Sequence, residues 1–151
     1  MVTREDLESF LLRSEQEYEE VEPGMWTMQS GADARVVIHY SPPLVILRAK
    51  VLDVPESDGG RESLFRRLLE LNAMDLVHGA YGIEAEDVIL SDSLELENLN
   101  FNEFQASLDS IQVGLASHLE ELYGLGNREQ GSEMGNREQG TGNSTVGAGD
   151  G

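Results

Sequence analysis

Apolar and polar residues follow two different periods along the chain, and these periods predict where helices and strands lie. The clearest helical stripe has apolar residues spaced by three or four positions: Phe104, Leu108, Ile111, Leu115, Leu119 and Leu122. Asn100, with Glu103 three residues later, has the pattern of a capping box that opens this helix. Gly124 is expected to end it, because glycine is the usual residue just beyond a helix C-terminus.

A short helix and a series of strands are predicted before it. Thr3 and Asp6 resemble a second capping box, and a short apolar stripe carries the first helix to about Ser14. Glu17–Glu22 has only a weak strand pattern and is not counted. Three further segments alternate well enough to predict strands: Met25–Gln29, Arg35–Tyr40 and Leu44–Leu52.

The last of these strands has two distinct faces, because alternate residues of a strand point to opposite sides of a sheet. One face is expected to lie in the core: Val45, Leu47, Ala49 and Val51. The other mixes apolar and basic side chains, which is typical of a partly wet face. That second set is our candidate for a partner-binding sheet face: Leu44, Ile46, Arg48 and Lys50.

The second helix is predicted to end around Asn72–Met74, after an apolar face wider than one stripe: Leu64, Phe65, Leu68, Leu69 and Leu71. One sheet face can bury only part of this surface, so we expect a partner to cover the remainder. Phe65 is the predicted centre of the contact, with Leu64 and Leu68 beside it. A hairpin of Gly79–Glu84 and Asp87–Ser91 is expected to follow.

No catalytic or metal-binding constellation is found in the sequence. The histidines fall in three separate predicted elements, without the spacing of metal ligands: His39, His78 and His118. Gly79 and Gly82 do not complete a dinucleotide-binding fingerprint, so the stretch LNAMDLVHGAYGIE is interpreted as a helix-to-hairpin junction. We therefore predict no enzyme, no metal and no cofactor.

Some alternatives stay open. Trp26 and Met28 are interpreted as core or dimer residues, with a ligand platform as the other reading. A carboxylate-based hydrolase would use acids at the hairpin turn: Glu84, Glu86 and Asp87. A sensor of small molecules would need a closed apolar cavity between sheet and helices.

Charge is the unusual feature of the composition. The chain has 29 acidic and 10 basic residues and a net charge of −19. Such a surface repels phosphate backbones, which argues against direct binding of nucleic acid. The charge is typical either of a protein kept dispersed by repulsion or of one that attracts a basic partner. The chain has no apolar run long enough for a membrane span and no secretory signal, so a cytoplasmic protein is expected. The absence of cysteine excludes disulfides but leaves the redox compartment open.

Composition changes at Gly124. Residues 125–151 are rich in glycine and contain the near-duplicate GNREQG. Because this segment offers little apolar surface to bury, we predict a folded domain over 1–124 and a disordered Gly-rich tail over 125–151.

The order of elements and a set of short motifs resemble a known family. The motifs are LLELN at Leu68–Asn72, the junction at Gly79 and Tyr81-Gly82, and the segment from Asn98-Leu99 to Glu103-Phe104. Together they resemble a YbjN-type domain, a family of bacterial sensory-transduction regulators that shares the fold of type III secretion chaperones, the Tir-chaperone or CesT-like group. The resemblance covers about Thr3 to Tyr123.

The resemblance implies an α+β fold with a five-stranded antiparallel sheet and three helices in the order α-β-β-β-α-β-β-α. It also implies a small acidic homodimer that binds a protein or peptide client without catalysis, as a chaperone or a regulatory adaptor in bacterial signalling or stress response. The resemblance supplies no catalytic motif to transfer.

Overall fold

The computed structural model describes residues 1–31 and 34–139, with side chains described as far as 126. Within these ranges the chain forms three helices: α1 (Arg4–Arg13), α2 (Asp58–Met74) and α3 (Phe101–Gln139). It also forms six strands: β1 (Glu19–Glu22), β2 (Met25–Ser30), β3 (Ala34–Ser41), β4 (Leu44–Asp53), β5 (Ala80–Glu84) and β6 (Asp87–Glu95).

The strands form one antiparallel sheet in the order β1-β2-β3-β4-β6-β5. The predicted α+β class is confirmed, but the predicted count of five strands is wrong, because the weak pattern at Glu17–Glu22 contains β1. All four β1 residues are exposed, and the strand pairs with β2 alone. An edge strand that is wet on both faces has no apolar alternation, so periodicity could not reveal it.

The helices pack on one face of the sheet and leave the other open. The predicted core set of β4 is buried on the helix side: Val45, Leu47, Ala49 and Val51. Trp26 and Met28 pair with Ile38 and Val36 of β3 on the same face and are likewise buried, so they belong to the core. The stripe of α3 completes this core, with Phe104, Leu108 and Ile111 fully buried.

Both predicted capping boxes are present. The Thr3 hydroxyl accepts from the Asp6 backbone N–H at 3.1 Å, and the Asp6 carboxylate accepts from the Thr3 N–H at 2.9 Å. Because these hydrogen bonds stabilise the ionised form, the pKa of Asp6 lies below its ordinary value. Asn100 and Glu103 exchange the same pair of bonds before α3.

The stretch from Leu71 to Glu84 is a helix-to-hairpin junction, as the sequence predicts. The last α2 residue is Met74 and the first β5 residue is Ala80. Gly79 has a φ of +83°, and a Cβ there would lie 2.8 Å from the carbonyl oxygen of Ser91, so only glycine fits without strain. Gly82, by contrast, has no heavy atom near its missing Cβ, so it relieves no crowding in the strand.

The end of the third helix differs from the prediction. α3 continues through Gly124 to Gln139. Glycine inside a helix costs only about 1 kcal/mol relative to alanine, which contacts beyond it can offset. Leu125 packs against the core, and the missing Cβ of Gly126 would lie 3.3 Å from Pro55 Cγ. The boundary between the folded domain and the tail stays a prediction. The last part of the predicted tail, 140–151, lies outside the described residues.

Candidate functional site

The open face of the sheet contains the predicted partner-binding residues. We define the open face as a set of apolar and basic side chains on β2, β3, β4 and β6: Met25, Val37, Leu44, Ile46, Arg48, Lys50 and Ile89. Paired residues of neighbouring strands share a face, and Ile46 is paired with His39 on one side and Ser93 on the other. All five apolar members are half-buried although the helices pack on the opposite face.

The two bases of the open face are paired with acids of the β5–β6 hairpin and of β4. Arg48 forms an ion pair with Glu84. The Lys50 ammonium lies 2.7 Å from an Asp53 carboxylate oxygen and 3.2 Å from one of Asp87. Hydrogen bonds to these carboxylates raise the pKa of Lys50 above its ordinary value. The open face therefore combines apolar side chains with two bases whose charges are balanced by neighbouring acids.

The two edges of the sheet differ in how their backbone is covered. On β5, the side-chain amide of Asn72 accepts from the Tyr81 N–H at 2.7 Å and donates to the Tyr81 carbonyl at 3.2 Å. This amide replaces a strand neighbour and blocks the middle of that edge. On β1, the exposed sequence Glu-Glu-Val-Glu forms the other edge, and Val21 is 48% exposed.

The surface of α2 differs from the predicted interface. Leu64 and Leu68 are buried in the core of the protomer, so their side chains are not available to a partner. Phe65 is half-buried against the core, whereas Leu69 is 68% exposed. The dimer and the central place of Phe65 stay predictions, but the flanking residues Leu64 and Leu68 are buried, and Leu69 is the exposed leucine beside Phe65 on this helix.

One polar constellation was missed in the sequence. His118 of α3 is buried, with Nδ1 at 2.7 Å from the Tyr81 hydroxyl and Nε2 at 2.5 Å from a carboxylate oxygen of Asp75. A neutral imidazole protonated on Nε2 satisfies both neighbours, since Nε2–H donates to Asp75 and Nδ1 accepts from Tyr81. Burial raises the pKa of Tyr81 well above its ordinary value. No sequence spacing connects these three residues, because each belongs to a different element.

Two of the three acids proposed for a hydrolase form ion pairs with bases of the open face. Glu84 is paired with Arg48, and Asp87 is paired with Lys50. His39 lies half-buried on the sheet and His78 is exposed in the loop before β5. In the described part of the chain, no group of three or more histidines and acids is arranged to hold a metal ion. Nor is any described helix long and apolar enough to cross a membrane.

The family of the chain follows from its match to the CesT_Tir_1 model over residues 2–128. That match covers most of the sequence, and the chain belongs to this family. The resemblance predicted from the sequence is thereby confirmed. No curated protein matches the chain at the level of sequence.

Solved structures with the same fold include two complexes of paired proteins. A chain of the heterodimeric ExoU–SpcU complex, from the type III secretion system of Pseudomonas aeruginosa, is 14% identical, with a TM-score of 0.60 over 76% of this chain and 94% of that one. A chain of the ExsC–ExsE complex is 17% identical, with a TM-score of 0.60 over 81% and 97%.

YbjN from E. coli has the fold as well. It is 11% identical, with a TM-score of 0.59 over 85% of this chain and 93% of that chain. At these identities the likeness establishes the fold alone, which is the one that the resemblance implied.

Proposed function

We propose that the protein is a non-catalytic protein-binding module, of the chaperone or regulatory-adaptor type, that holds a segment of a client protein against its open face. It acts as a homodimer in the bacterial cytoplasm, in signalling or stress response. Several relatives in the fold come from chaperone–effector and other two-protein complexes, which supports a protein as the client.

The open face carries this proposal. Its apolar side chains are half-buried on the side of the sheet away from the helices, and its bases are already neutralised by Glu84 and Asp87. A segment in extended conformation can cover such a shallow strip over its whole length, whereas a small substrate needs a deep pocket with converging polar groups. The exposed β1 edge lies two strands from β3 and offers free backbone groups to the same extended segment.

Site-specific photo-cross-linking in the native cell tests the proposal. A photoreactive phenylalanine derivative replaces Ile46 on the open face, and the matched control carries it at Leu12, which is 66% exposed on α1. We expect one or a few proteins to be linked through position 46 and not through position 12. Unlabelled Ile46→Ser, checked for an unchanged melting temperature, should release the same proteins from the full chain.

Absence of specific cross-links at position 46, together with unchanged co-purification after Ile46→Ser, would remove the open face as a client site. An enzyme would instead be indicated by a small molecule ordered at Glu84, Glu86 and Asp87, with its turnover abolished by Glu84→Gln.

A further inference from the structure

A groove of about 370 Å³ lies between the α2–β5 loop and the middle of α3. Its two walls end in Val77, which is 83% exposed, and Val113, which is 62% exposed. Leu76 and Ala106 line the groove between them. Two exposed aliphatic side chains thus belong to one groove, and contiguous apolar patches of this kind mark contact sites. We call this feature the loop–α3 groove.

The loop that forms one wall is fixed to α3 by hydrogen bonds. The backbone N–H of His78 donates to Ser110 Oγ at 3.1 Å, and that hydroxyl donates to the His78 carbonyl at 2.9 Å. The backbone of the loop beside Val77 is therefore fixed to the helix that carries Val113. A preformed groove loses less conformational entropy on binding than one that must be ordered by its ligand.

Two carboxylates lie on the lining of the groove, each oriented by a neighbour. The Asp75 carboxylate is held by His118 Nε2 at 2.5 Å, and His118 is in turn held by Tyr81. The Asp109 carboxylate accepts from Gln105 Nε2 at 2.8 Å. Each carboxylate retains further lone pairs for a donor from outside. None of the described residues that line the groove is a lysine or an arginine.

We propose that the loop–α3 groove binds a partner segment that presents aliphatic side chains flanked by lysine or arginine. The aliphatic groups fill the trough between Val77 and Val113, and the basic groups pair with Asp75 and Asp109. An oriented carboxylate beside an apolar surface is the complement of an amphipathic basic segment. The inference rests on the proposed function, since it adds the chemistry of the partner and a second contact site away from the open face.

Charge argues against a second copy of this chain as the occupant. Asp75 and Asp109 are the two carboxylates that the groove contributes, so a second copy docked through the same groove would bring four of them into one contact. Like charges brought together in an interface oppose association, whereas a basic segment is attracted from a distance. A basic partner therefore fits the groove better than the chain itself.

Fluorescence anisotropy with the full chain provides the test. The probe is a fluorescein-labelled amphipathic peptide of leucine and arginine, compared with one in which glutamate replaces arginine and one in which serine replaces leucine, all at physiological salt. We expect only the leucine–arginine peptide to bind. Val77→Ser, Val113→Ser and Asp109→Asn should each weaken its binding by about tenfold.

Matched controls separate the groove from the general charge of the protein. Leu12→Ser removes an apolar side chain of α1 that is about as exposed as Val113 of the groove. Glu5→Gln removes one negative charge at a side chain that is 75% exposed. Both controls should bind the peptide within about twofold of the wild type. Equal weakening by groove and control variants would show non-specific attraction and overturn the proposal. Self-association that Val113→Ser abolishes and the peptide displaces would overturn it too, in favour of a second copy.

The two proposals fail independently. Groove variants that bind the peptide normally, in a protein that still cross-links clients through position 46, would refute the groove alone. Selective peptide binding in the groove, without any cross-linked client at position 46, would refute the open face and leave the groove as a site for a basic segment.

Discussion

Tyr81 and His118, 37 residues apart in the chain, share a hydrogen bond of 2.7 Å between the phenol oxygen and Nδ1. Both side chains are buried, so this bond connects the edge strand β5 to α3 inside the protein. The other ring nitrogen of His118, Nε2, is hydrogen-bonded to Asp75, the C-cap residue of α2. One imidazole thus joins the C-terminal end of α2, the strand β5 and α3.

Removing the phenol oxygen of Tyr81 is expected to destabilise the fold. Tyr81→Phe leaves Nδ1 of His118 as a buried acceptor without a partner, which should lower the free energy of unfolding by about 1–3 kcal/mol in urea denaturation. Tyr123→Phe is the control, because that side chain is 40% exposed. Equal stability of the two variants would mean that the bond contributes nothing net.

The same tyrosine makes stability depend on alkaline pH. Burial raises the pKa of Tyr81 above its ordinary value of 10.0, so the unfolded chain releases this proton at lower pH than the folded protein. The contribution of Tyr81 to the free energy of unfolding is therefore fully present below about pH 10. It decreases as the pH rises above that value, by at most about 1.4 kcal/mol per pH unit. The difference in urea midpoint between wild type and Tyr81→Phe should shrink between pH 9 and 11. A constant difference would contradict this assignment.

Replacing either of two glycines with alanine should change the stability of the protein, in opposite directions at the two positions. Gly79→Ala introduces a Cβ at a φ of +83° and 2.8 Å from the Ser91 carbonyl oxygen, and should destabilise by about 1–3 kcal/mol. Gly124→Ala adds a Cβ with no neighbour within 4 Å inside α3, and should stabilise by about 0.5–1 kcal/mol. Thermal unfolding measures both. Destabilisation by Gly124→Ala would indicate that the helix ends there, as its sequence suggests.

Asn72 is expected to protect the β5 edge. Asn72→Ala removes both side-chain bonds to the Tyr81 backbone, which should cost about 1–3 kcal/mol in urea denaturation because Tyr81 is buried. Asn102→Ala, at an exposed position of α3, should be neutral or slightly stabilising. The Asn72 variant should also self-associate more readily in light scattering, since its edge strand is uncovered. Unchanged stability and scattering would show that the amide is dispensable.

Substitutions at exposed and half-buried apolar residues of α2 test the proposed homodimer. Leu69→Asp and Phe65→Asp should each give a monomer at micromolar concentration in sedimentation, because a buried unpaired charge opposes association. Leu12→Asp, at a similarly exposed leucine of α1, should remain dimeric. A monomeric wild type, or a folded Leu69→Asp that remains fully dimeric, would remove α2 from the interface.

Local features of the fold were predictable from the sequence. The capping boxes at Thr3 and Asn100 and the alternating faces of β4 depend on residues close together in the chain. The α3 stripe follows from helical geometry in the same way. The open-face position of Leu44, Ile46, Arg48 and Lys50 was therefore predicted, although their role as a binding surface stays a proposal.

Only the tertiary structure decided which side of each element meets the core. The sequence shows that α2 has a broad apolar face, but contact with the sheet and α3 decides that Leu64 and Leu68 point inward while Leu69 points outward. β1 is a strand because β2 pairs with it, and α3 continues past Gly124, where Leu125 packs against the core. His118 meets Tyr81 and Asp75 through packing alone. The spacing of apolar residues in the sequence reflects the geometry of a single helix or strand. These contacts depend instead on how elements that are distant in the chain are placed relative to one another.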